Sequence, residues 1–303
     1  MTEMTILQQN ISRLLPDITH CFEEPMRKHT SFKIGGNAEV MVFPKNAIEL
    51  SQTLRVTAEL RCPVKILGAG TNILAPDAGI SGVVICLKDA LEGMEQLGDR
   101  TIRVMAGVTM ARAAIFAANL GLSGLEFAHG IPGSVGGGVY MNAGAYGGEI
   151  CQVCTKVGVM DMNGNMKVLS GEEMEFSYRH SRLEEEAGIV VYAEFTLNPG
   201  SQEEIREKMQ ELMGKRKNSQ PLDMPSAGSA FKRPVGGFAA ALIDQNGLKG
   251  FQIGGAAVST KHAGFVVNMG GATAADVKEL LQAVSDKVFD STGIRLEPEV
   301  RIW

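Results

Sequence analysis

The feature that most constrains this chain is an almost uncharged run, from Gly130 to Gly148, that contains eight glycines. A solvated run of this composition would be disordered, but apolar side chains interrupt it at Ile131, Val135, Val139, Tyr140, Met141 and Tyr146. The run can therefore pack, and glycine then permits close approach of the backbone to a ligand. This pattern favours a binding surface for a flat or extended cofactor. The alternative is a set of bulges and turns at the corners of a β domain.

A second glycine segment follows an expected strand and reads Gly68-Ala69-Gly70-Thr71-Asn72. Such a turn can offer several backbone N–H groups to a phosphate. It does not fit the dinucleotide-binding fingerprint, because Ile73 stands where the third glycine should be and Pro76 opposes the helix that should follow. On this segment alone, a phosphate loop and a plain tight turn are equally open.

The hydrophobic pattern predicts a small α/β unit over the first 90 residues, with strands at 39–43, 64–67 and 82–86 and a helix that opens at Asn46. A strand from about residue 102 and a helix between Thr109 and Gly121 are predicted next.

A β-rich region is predicted after the glycine run, with short strands at 155–160, 166–169 and 189–197 and a hairpin-turn signal at Asn163-Gly164. Ser201 and Glu204 form an expected capping box for a helix whose apolar face carries Ile205, Met209 and Leu212. Helical spacing predicts a last helix at 273–290. We therefore predict three subdomains, at 1–90, 91–200 and 201–296, with residues 297–303 returning to the first.

Charge and hydropathy exclude several classes of protein. The chain has 303 residues, a net charge of −5 and no Lys/Arg-rich run, so it lacks the basic surface of a nucleic-acid binder. The N-terminal apolar residues are spaced as in an amphipathic helix and not as in a signal peptide. No uninterrupted apolar run reaches the roughly 18 to 20 residues that span a bilayer. We expect a cytoplasmic protein without membrane insertion.

The five cysteines are an odd number scattered over a long chain, which does not indicate a disulfide framework. Cys151 and Cys154 form one CxxC pair, but no second pair or nearby His pair completes a metal site, and we expect none. Buried strand thiols are the favoured interpretation of this pair, and redox or metal chemistry is the alternative.

Three separated segments carry polar side chains that catalysis could use: Tyr-Arg-His-Ser-Arg at 178–182, Ala-Gly-Ser-Ala-Phe-Lys-Arg-Pro at 227–234 and Leu-Glu-Pro-Glu-Val-Arg at 296–301. Each is weak evidence by itself. A serine in a turn is usually a turn or capping residue, and arginine or glutamate is usually solvated at the surface. The residues alone leave the activity undecided.

Six motifs in this order, from His29 to Arg301, resemble the UDP-N-acetylenolpyruvoylglucosamine reductases. They are HTSFKIGG (29–36), GAGTN (68–72), GIPGSVGGGVYMNAGAYG (130–147), SYRHS (177–181), PSAGSAFKRP (225–234) and LEPEVR (296–301). The longer branch of this family carries an insertion after the Tyr-Arg motif, with a Tyr that covers the substrate diphosphate. The segment from Arg182 to Ile189 has no room for it, so the chain resembles the shorter, second type.

The resemblance implies an α+β, three-domain flavoenzyme, with an FAD-binding module of the vanillyl-alcohol-oxidase (PCMH) type and an α/β substrate-binding domain. FAD should be bound non-covalently, because residues 66–74 contain no His or Cys to tether it. The matching positions expected to contact FAD are Gly68, Ala69, Gly70, Thr71, Asn72, Ile73, Gly130, Ile131, Pro132, Gly133, Ser134, Gly136, Asn142, Gly144 and Ala145.

The implied reaction is the NADPH-dependent reduction of UDP-N-acetylglucosamine enolpyruvate to UDP-N-acetylmuramate, in peptidoglycan precursor synthesis. Hydride would pass from flavin N5 to the terminal enolpyruvyl carbon, and Ser229 would protonate C2. Arg179 would hold the substrate carboxylate and stabilise the enolate. Glu299 would stay protonated or hydrogen-bonded beside it.

Substrate contacts are expected from Tyr178, Lys217 and Arg233, and we expect a monomer. Without the inserted Tyr, a cation must meet the diphosphate, and Arg233, Arg216 and Lys217 are the candidates. For Arg216 and Lys217 the alternative is a basic last turn of a helix.

Three other functions stay open: an FAD oxidase of the same fold, a nucleotide-sugar binding protein without catalysis, and, less favoured, a dehydrogenase without flavin.

Overall fold

The computed structural model describes residues 3–303 as two compact units. Unit 1 comprises the described residues up to 22 together with 40–69 and 81–215, and unit 2 comprises 23–39, 70–80 and 216–303. The helices are α1 (Ile6–Leu14), α2 (Ala47–Glu59), α3 (Met110–Asn119), α4 (Val135–Tyr140), α5 (Gln202–Ser219), α6 (Ala239–Gln245) and α7 (Ala274–Thr292).

The strands of the first half of the chain are β1 (His20–Pro25), β2 (Asn37–Val42), β3 (Val64–Leu67), β4 (Ile73–Leu74), β5 (Ile80–Cys86), β6 (Met94–Gln96), β7 (Thr101–Met105), β8 (Leu122–Ser123), β9 (Gly144–Ala145) and β10 (Gly148–Glu149). Those of the second half are β11 (Cys154–Asp161), β12 (Met166–Ser170), β13 (Gly188–Thr196), β14 (Asn198–Pro199), β15 (Ser226–Ser229), β16 (Gln252–Ile253), β17 (Ala256–Val258), β18 (Phe265–Asn268) and β19 (Arg301–Ile302).

A four-stranded sheet in the order β1-β2-β5-β3 contains the strands predicted at 39–43, 64–67 and 82–86. Strands β3 and β5 run parallel, with Val64 opposite Val83, and helix α2 lies between β2 and β3 in the chain. Helix α2 begins where it was predicted, because the Asn46 side chain accepts hydrogen bonds from the N–H groups of Ile48 and Glu49, each at 3.0 Å.

Unit 1 also holds a five-stranded antiparallel sheet in the order β12-β11-β13-β7-β6. The turn predicted at Asn163-Gly164 connects β11 to β12. Glu194, on the central strand β13, is only 6% exposed. Its carboxylate accepts from the Arg103 guanidinium at 2.7 Å, so the buried charge is compensated by a partner on the adjacent strand β7.

Helix α4 lies inside the glycine-rich run, where the sequence did not predict a helix. Its apolar residues Val135 and Val139 are fully buried. A β-carbon on Gly136 would lie 2.9 Å from Ala106 Cβ, and one on Gly138 would lie 2.7 Å from Met110 Sδ. Close packing against these residues therefore stabilises a helix that glycine's own propensity opposes by about 1 kcal/mol per residue.

Unit 2 packs α7 against a sheet in the order β15-β18-β17-β16. The predicted helix at 273–290 is confirmed, and Thr273 caps it by accepting from the Asp276 N–H at 3.0 Å. The C-terminal strand β19 pairs in parallel with β4, so residue 301 lies opposite residue 73. The division into three subdomains stays a prediction.

Over residues 3–303, no helix combines the length and the apolar character that crossing a membrane requires.

Two helical glycines should respond in opposite directions to alanine. Gly214 lies within α5, and a β-carbon there would meet no atom within 4 Å. Gly214→Ala should raise the free energy of unfolding by about 0.5–1 kcal/mol, because alanine restricts the unfolded chain. Gly136→Ala should lower it by about 1–3 kcal/mol through overpacking. Urea-induced unfolding followed by circular dichroism measures both, and shifts of the same sign would contradict this account of α4.

Candidate functional site

In unit 1, a tight turn presents Tyr178 and Arg179. The turn is closed by two reciprocal backbone bonds: the Ser177 N–H donates to His180 O at 3.1 Å, and the His180 N–H donates to Ser177 O at 3.2 Å. Arg179 adopts a left-handed φ of 56°. Its guanidinium donates to Gly144 O at 3.1 Å and lies over the Tyr178 ring, 5.0 Å from the centroid. Two predicted substrate-site residues therefore lie beside the glycine-rich run.

The same unit brings the two glycine segments together. A β-carbon on Gly68 would lie 3.0 Å from Ser134 Oγ, and one on Gly137 would lie 3.6 Å from it, with no other atom within 4 Å of either. Ser134 also caps α4, accepting from the Gly137 N–H at 3.4 Å. Gly68, directly after β3, thus lies against the buried Ser134 hydroxyl at the start of α4, closer than most side chains would allow. Glycine backbone and a hydroxyl at the start of a helix are groups that suit a pyrophosphate.

In unit 2, the last four residues of motif PSAGS form strand β15. Its register shifts between Ser226 and Ser229 against β18, and Gly228 between them has a φ of 80°, which only glycine adopts freely. The shifted strand leaves Ser229 exposed at its end. Ser31, from motif HTSFKIGG, holds the start of the strand by donating to Ser226 O at 2.6 Å.

Glu299 reaches the same strand through backbone pairing. The Glu299 N–H donates to Ala230 O, and the Lys232 N–H donates to Glu297 O, each at 2.8 Å. Phe231 lies opposite Pro298 in a non-hydrogen-bonded pair of this antiparallel bridge. The pairing needs no N–H from either position, so the proline, which has none, costs no hydrogen bond. The structure therefore places Glu299 next to the residue that follows Ser229.

Asn72, from motif GAGTN, is part of this second cluster. Its side-chain amide donates to Glu299 O at 3.2 Å, and its own carbonyl accepts from the Arg301 N–H at 3.0 Å. Gly70 O accepts from the Ser31 N–H at 3.0 Å. Four of the six motifs thus meet in unit 2: HTSFKIGG, the end of GAGTN, PSAGSAFKRP and LEPEVR.

The predicted cations differ in their surroundings. Lys217 is exposed, and its backbone carbonyl accepts a 2.7 Å hydrogen bond from Lys261 Nζ. Arg233 lies over the Phe238 ring, 3.9 Å from the centroid. Arg216 is only 9% exposed, so it offers little surface to a ligand. Sequence reasoning missed Lys261, because nothing in its local pattern shows that it lies beside Lys217.

Comparison with known proteins supplies the family. Residues 220–303 match the model described as UDP-N-acetylenolpyruvoylglucosamine reductase, C-terminal domain, and residues 38–170 match an FAD binding domain. A UDP-N-acetylenolpyruvoylglucosamine reductase of Caldanaerobacter subterraneus is 46% identical over 297 residues, covering 98% of both chains. The reductase of Lactobacillus acidophilus is 46% identical over 278 residues, 92% of this chain and 93% of that one.

A solved structure agrees with these sequence matches. The crystal structure of UDP-N-acetylenolpyruvylglucosamine reductase from Thermus caldophilus has a TM-score of 0.77 and 35% identity, and the alignment covers 94% of this chain and 98% of that one. The chain belongs to the UDP-N-acetylenolpyruvoylglucosamine reductase family.

Family membership confirms the resemblance stated from the motifs, together with the α+β fold, the FAD-binding module and the flavoprotein oxidoreductase class. The individual contacts stay predictions. Of the expected FAD-contact residues, Gly68, Ala69 and all those from Gly130 to Ala145 belong to unit 1, and Gly70 to Ile73 belong to unit 2. Of the expected catalytic residues, Arg179 belongs to unit 1, and Ser229 and Glu299 to unit 2.

A cavity of about 240 Å³ in unit 1 is lined by Ile115, Ala118, Asn119, His129, Arg206, Met209 and Gln210, none of which was predicted to bind a ligand. Within residues 3–303, no group of three or more His, Cys, Asp or Glu side chains could hold a metal ion.

The CxxC pair has the environment of structural thiols. Cys154 is buried, and burial raises its pKa to about 12. Partial burial also raises the pKa of Cys151. Redox-active CxxC pairs instead depend on a thiol with a lowered pKa.

The cysteine thiols should therefore differ in their rates of alkylation. A raised pKa means that less thiolate is present at a given pH, so at pH 8 we expect iodoacetamide to modify the exposed Cys21 first and Cys151 more slowly. Cys154 should react only after denaturation. Peptide mass spectrometry measures the order, and rapid labelling of Cys154 in the folded protein, or a Cys151–Cys154 disulfide, would contradict the structural interpretation.

Proposed function

We propose that this chain catalyses the NADPH-dependent, FAD-mediated reduction of UDP-N-acetylglucosamine enolpyruvate to UDP-N-acetylmuramate, in peptidoglycan precursor synthesis. The observation that carries the proposal is the identity of 46% with a curated reductase over 98% of both chains. The arrangement of the motif residues supports it, because the proposed acid and carboxyl group lie on adjacent backbone segments.

FAD, when bound, supplies the redox chemistry that links NADPH to the enolpyruvyl group. We propose that Gly68, Ser134 and the start of α4 hold its pyrophosphate, since the glycine backbone of these segments permits close approach. The remaining predicted FAD contacts lie within residues 69–73 and 130–145.

Arg179 has the task of binding the substrate carboxylate and stabilising the charge that develops on it. Guanidinium suits this because it is permanently charged and matches a carboxylate with two parallel N–H donors. The bond to Gly144 O and the Tyr178 ring fix the guanidinium before substrate arrives. An arginine held in this way loses little side-chain entropy on binding.

Ser229 would donate its hydroxyl proton to C2 of the enolpyruvyl group. Exposure at the end of β15 leaves the hydroxyl accessible to a ligand. Glu299 would donate a hydrogen bond to the enolate in its protonated form, as carboxyl groups do where charge develops. Lys217 and Arg233 are the proposed contacts for the diphosphate, with Lys261 beside Lys217 adding a positive charge.

Removing the proposed acid should separate the two halves of the reaction. In Ser229→Ala, reduction of bound FAD by NADPH should proceed as in the wild type, whereas reoxidation by the enolpyruvyl substrate should slow by about 10²–10⁴-fold, the usual contribution of a general acid. Stopped-flow absorbance under anaerobic conditions measures each half.

Ser291→Ala is the matched control, because Ser291 is an exposed serine near the end of α7. It should leave both half-reactions unchanged. If Ser229→Ala reoxidises as fast as this control, Ser229 is a turn residue and not the acid. If oxygen alone reoxidises the wild-type flavin and the sugar nucleotide has no effect, the chain acts as an oxidase and the proposed reaction is wrong.

A further inference from the structure

We infer that Asn142 and Ser181 are positioning residues for Arg179: they hold the two ends of its turn against the glycine-rich run and so fix where the guanidinium lies. The inference rests on the proposed function, in which Arg179 binds the substrate carboxylate. It gives Asn142 a role different from the FAD contact expected from its place in the NAGAYG motif.

Asn142 holds the start of the turn. Its side-chain amide donates to Ser177 O at 2.9 Å and to Glu149 Oε2 at 3.3 Å. Its side-chain oxygen accepts from the Cys151 N–H at 2.9 Å. The residue is 1% exposed, so these protein contacts and not solvent satisfy its amide group.

The backbone of Asn142 favours this residue type independently. Its φ of 43° is left-handed, and asparagine tolerates that region better than most side chains. The left-handed residue directs the chain out of α4 and into the β9–β10 hairpin, whose first residue, Gly144, supplies the carbonyl that Arg179 contacts. One residue therefore sets both the turn that carries Arg179 and the acceptor that orients its guanidinium.

Ser181 holds the other end of the turn. Its side chain is fully buried, and its hydroxyl donates to Tyr140 O, at the end of α4, at 2.7 Å. Ser177 and Ser181 flank the turn that carries Tyr178 and Arg179, so hydrogen bonds tie the segment to the glycine-rich run on both sides of it. Two such attachments restrict the turn more than its own reciprocal backbone bonds would.

The consequence for the reaction follows from the geometry that catalysis requires. Displacing a charged group by about 1 Å can cost about 10²-fold in rate. Loosening either end of the turn should therefore slow the substrate-dependent half-reaction without removing any group that contacts substrate. The loss should come entirely through Arg179.

A double-mutant cycle tests this. The variants are Asn142→Gly, which keeps the left-handed φ accessible, and Ser181→Ala, each made alone and together with Arg179→Asn. In protein that keeps Arg179, each substitution should slow anaerobic reoxidation by the enolpyruvyl substrate by about 10- to 100-fold. In the Arg179→Asn background, each should change the rate by less than about threefold, since the group being positioned is already gone. Additive losses would overturn the inference.

A second readout does not depend on turnover. Hydrogen exchange at the amides of Ser177 and His180, which close the turn, should be at least about tenfold faster in both variants than in the wild type. Asn163→Gly, at an exposed asparagine of the β11–β12 loop, is the matched control and should change neither exchange nor rate. Unchanged protection in both Asn142→Gly and Ser181→Ala would overturn the inference.

The two proposals fail in distinguishable ways. If the wild type does not turn over the enolpyruvyl substrate, the proposed function fails, and hydrogen exchange alone decides whether Asn142 and Ser181 hold the turn. If the wild type turns over and the cycle is additive, the proposed function stands and the positioning role is wrong. Thermal unfolding and the FAD content of each variant show whether a loss of rate reflects a loss of folded holoenzyme.

Discussion

The backbone pairing of residues 230–232 with 297–299 is the contact on which the unit 2 part of the site depends. Two hydrogen bonds of 2.8 Å flank the Phe231–Pro298 pair and connect a strand to a segment more than sixty positions away in the chain. The same segment continues into β19, which pairs with β4 directly after the GAGTN motif. Through this one continuous backbone, the proposed acid, the proposed carboxyl group and Asn72 are held in fixed register.

The glycine-rich run performs the corresponding task in unit 1. In its helix α4, Gly136 packs against Ala106 and Gly138 packs against Met110, where a β-carbon would not fit. The start of the helix lies beside Gly68. The same run ends in the hairpin whose Gly144 carbonyl orients Arg179. The glycines of this run therefore have two effects. They allow α4 to pack tightly, and they leave backbone groups of the run free of covering side chains.

Local signals in the sequence predicted the elements that depend on local chemistry. Asn46 and Thr109 cap α2 and α3 as predicted, because an N-cap needs only its own side chain and the next few N–H groups. Helix α4 was not predicted, because its stability comes from residues outside the run. The sequence could not place Glu299 beside Ser229, or Lys261 beside Lys217, from spacing, since long-range pairing leaves no local pattern. The family resemblance supplied the candidate catalytic residues, and the structure shows how backbone pairing brings the segments of Ser229 and Glu299 together.

The most direct test of the account uses no NADPH at all. The FAD of the purified protein is reduced under anaerobic conditions by light, with EDTA as the sacrificial electron donor. It is then mixed in the dark with one equivalent of UDP-N-acetylglucosamine enolpyruvate and followed by visible absorbance and by mass spectrometry of the sugar nucleotide. The oxidised flavin spectrum should return while the nucleotide gains two hydrogen atoms, with one nucleotide reduced for each flavin reoxidised. A flavin that stays reduced until oxygen is admitted, with the nucleotide unchanged, would contradict it.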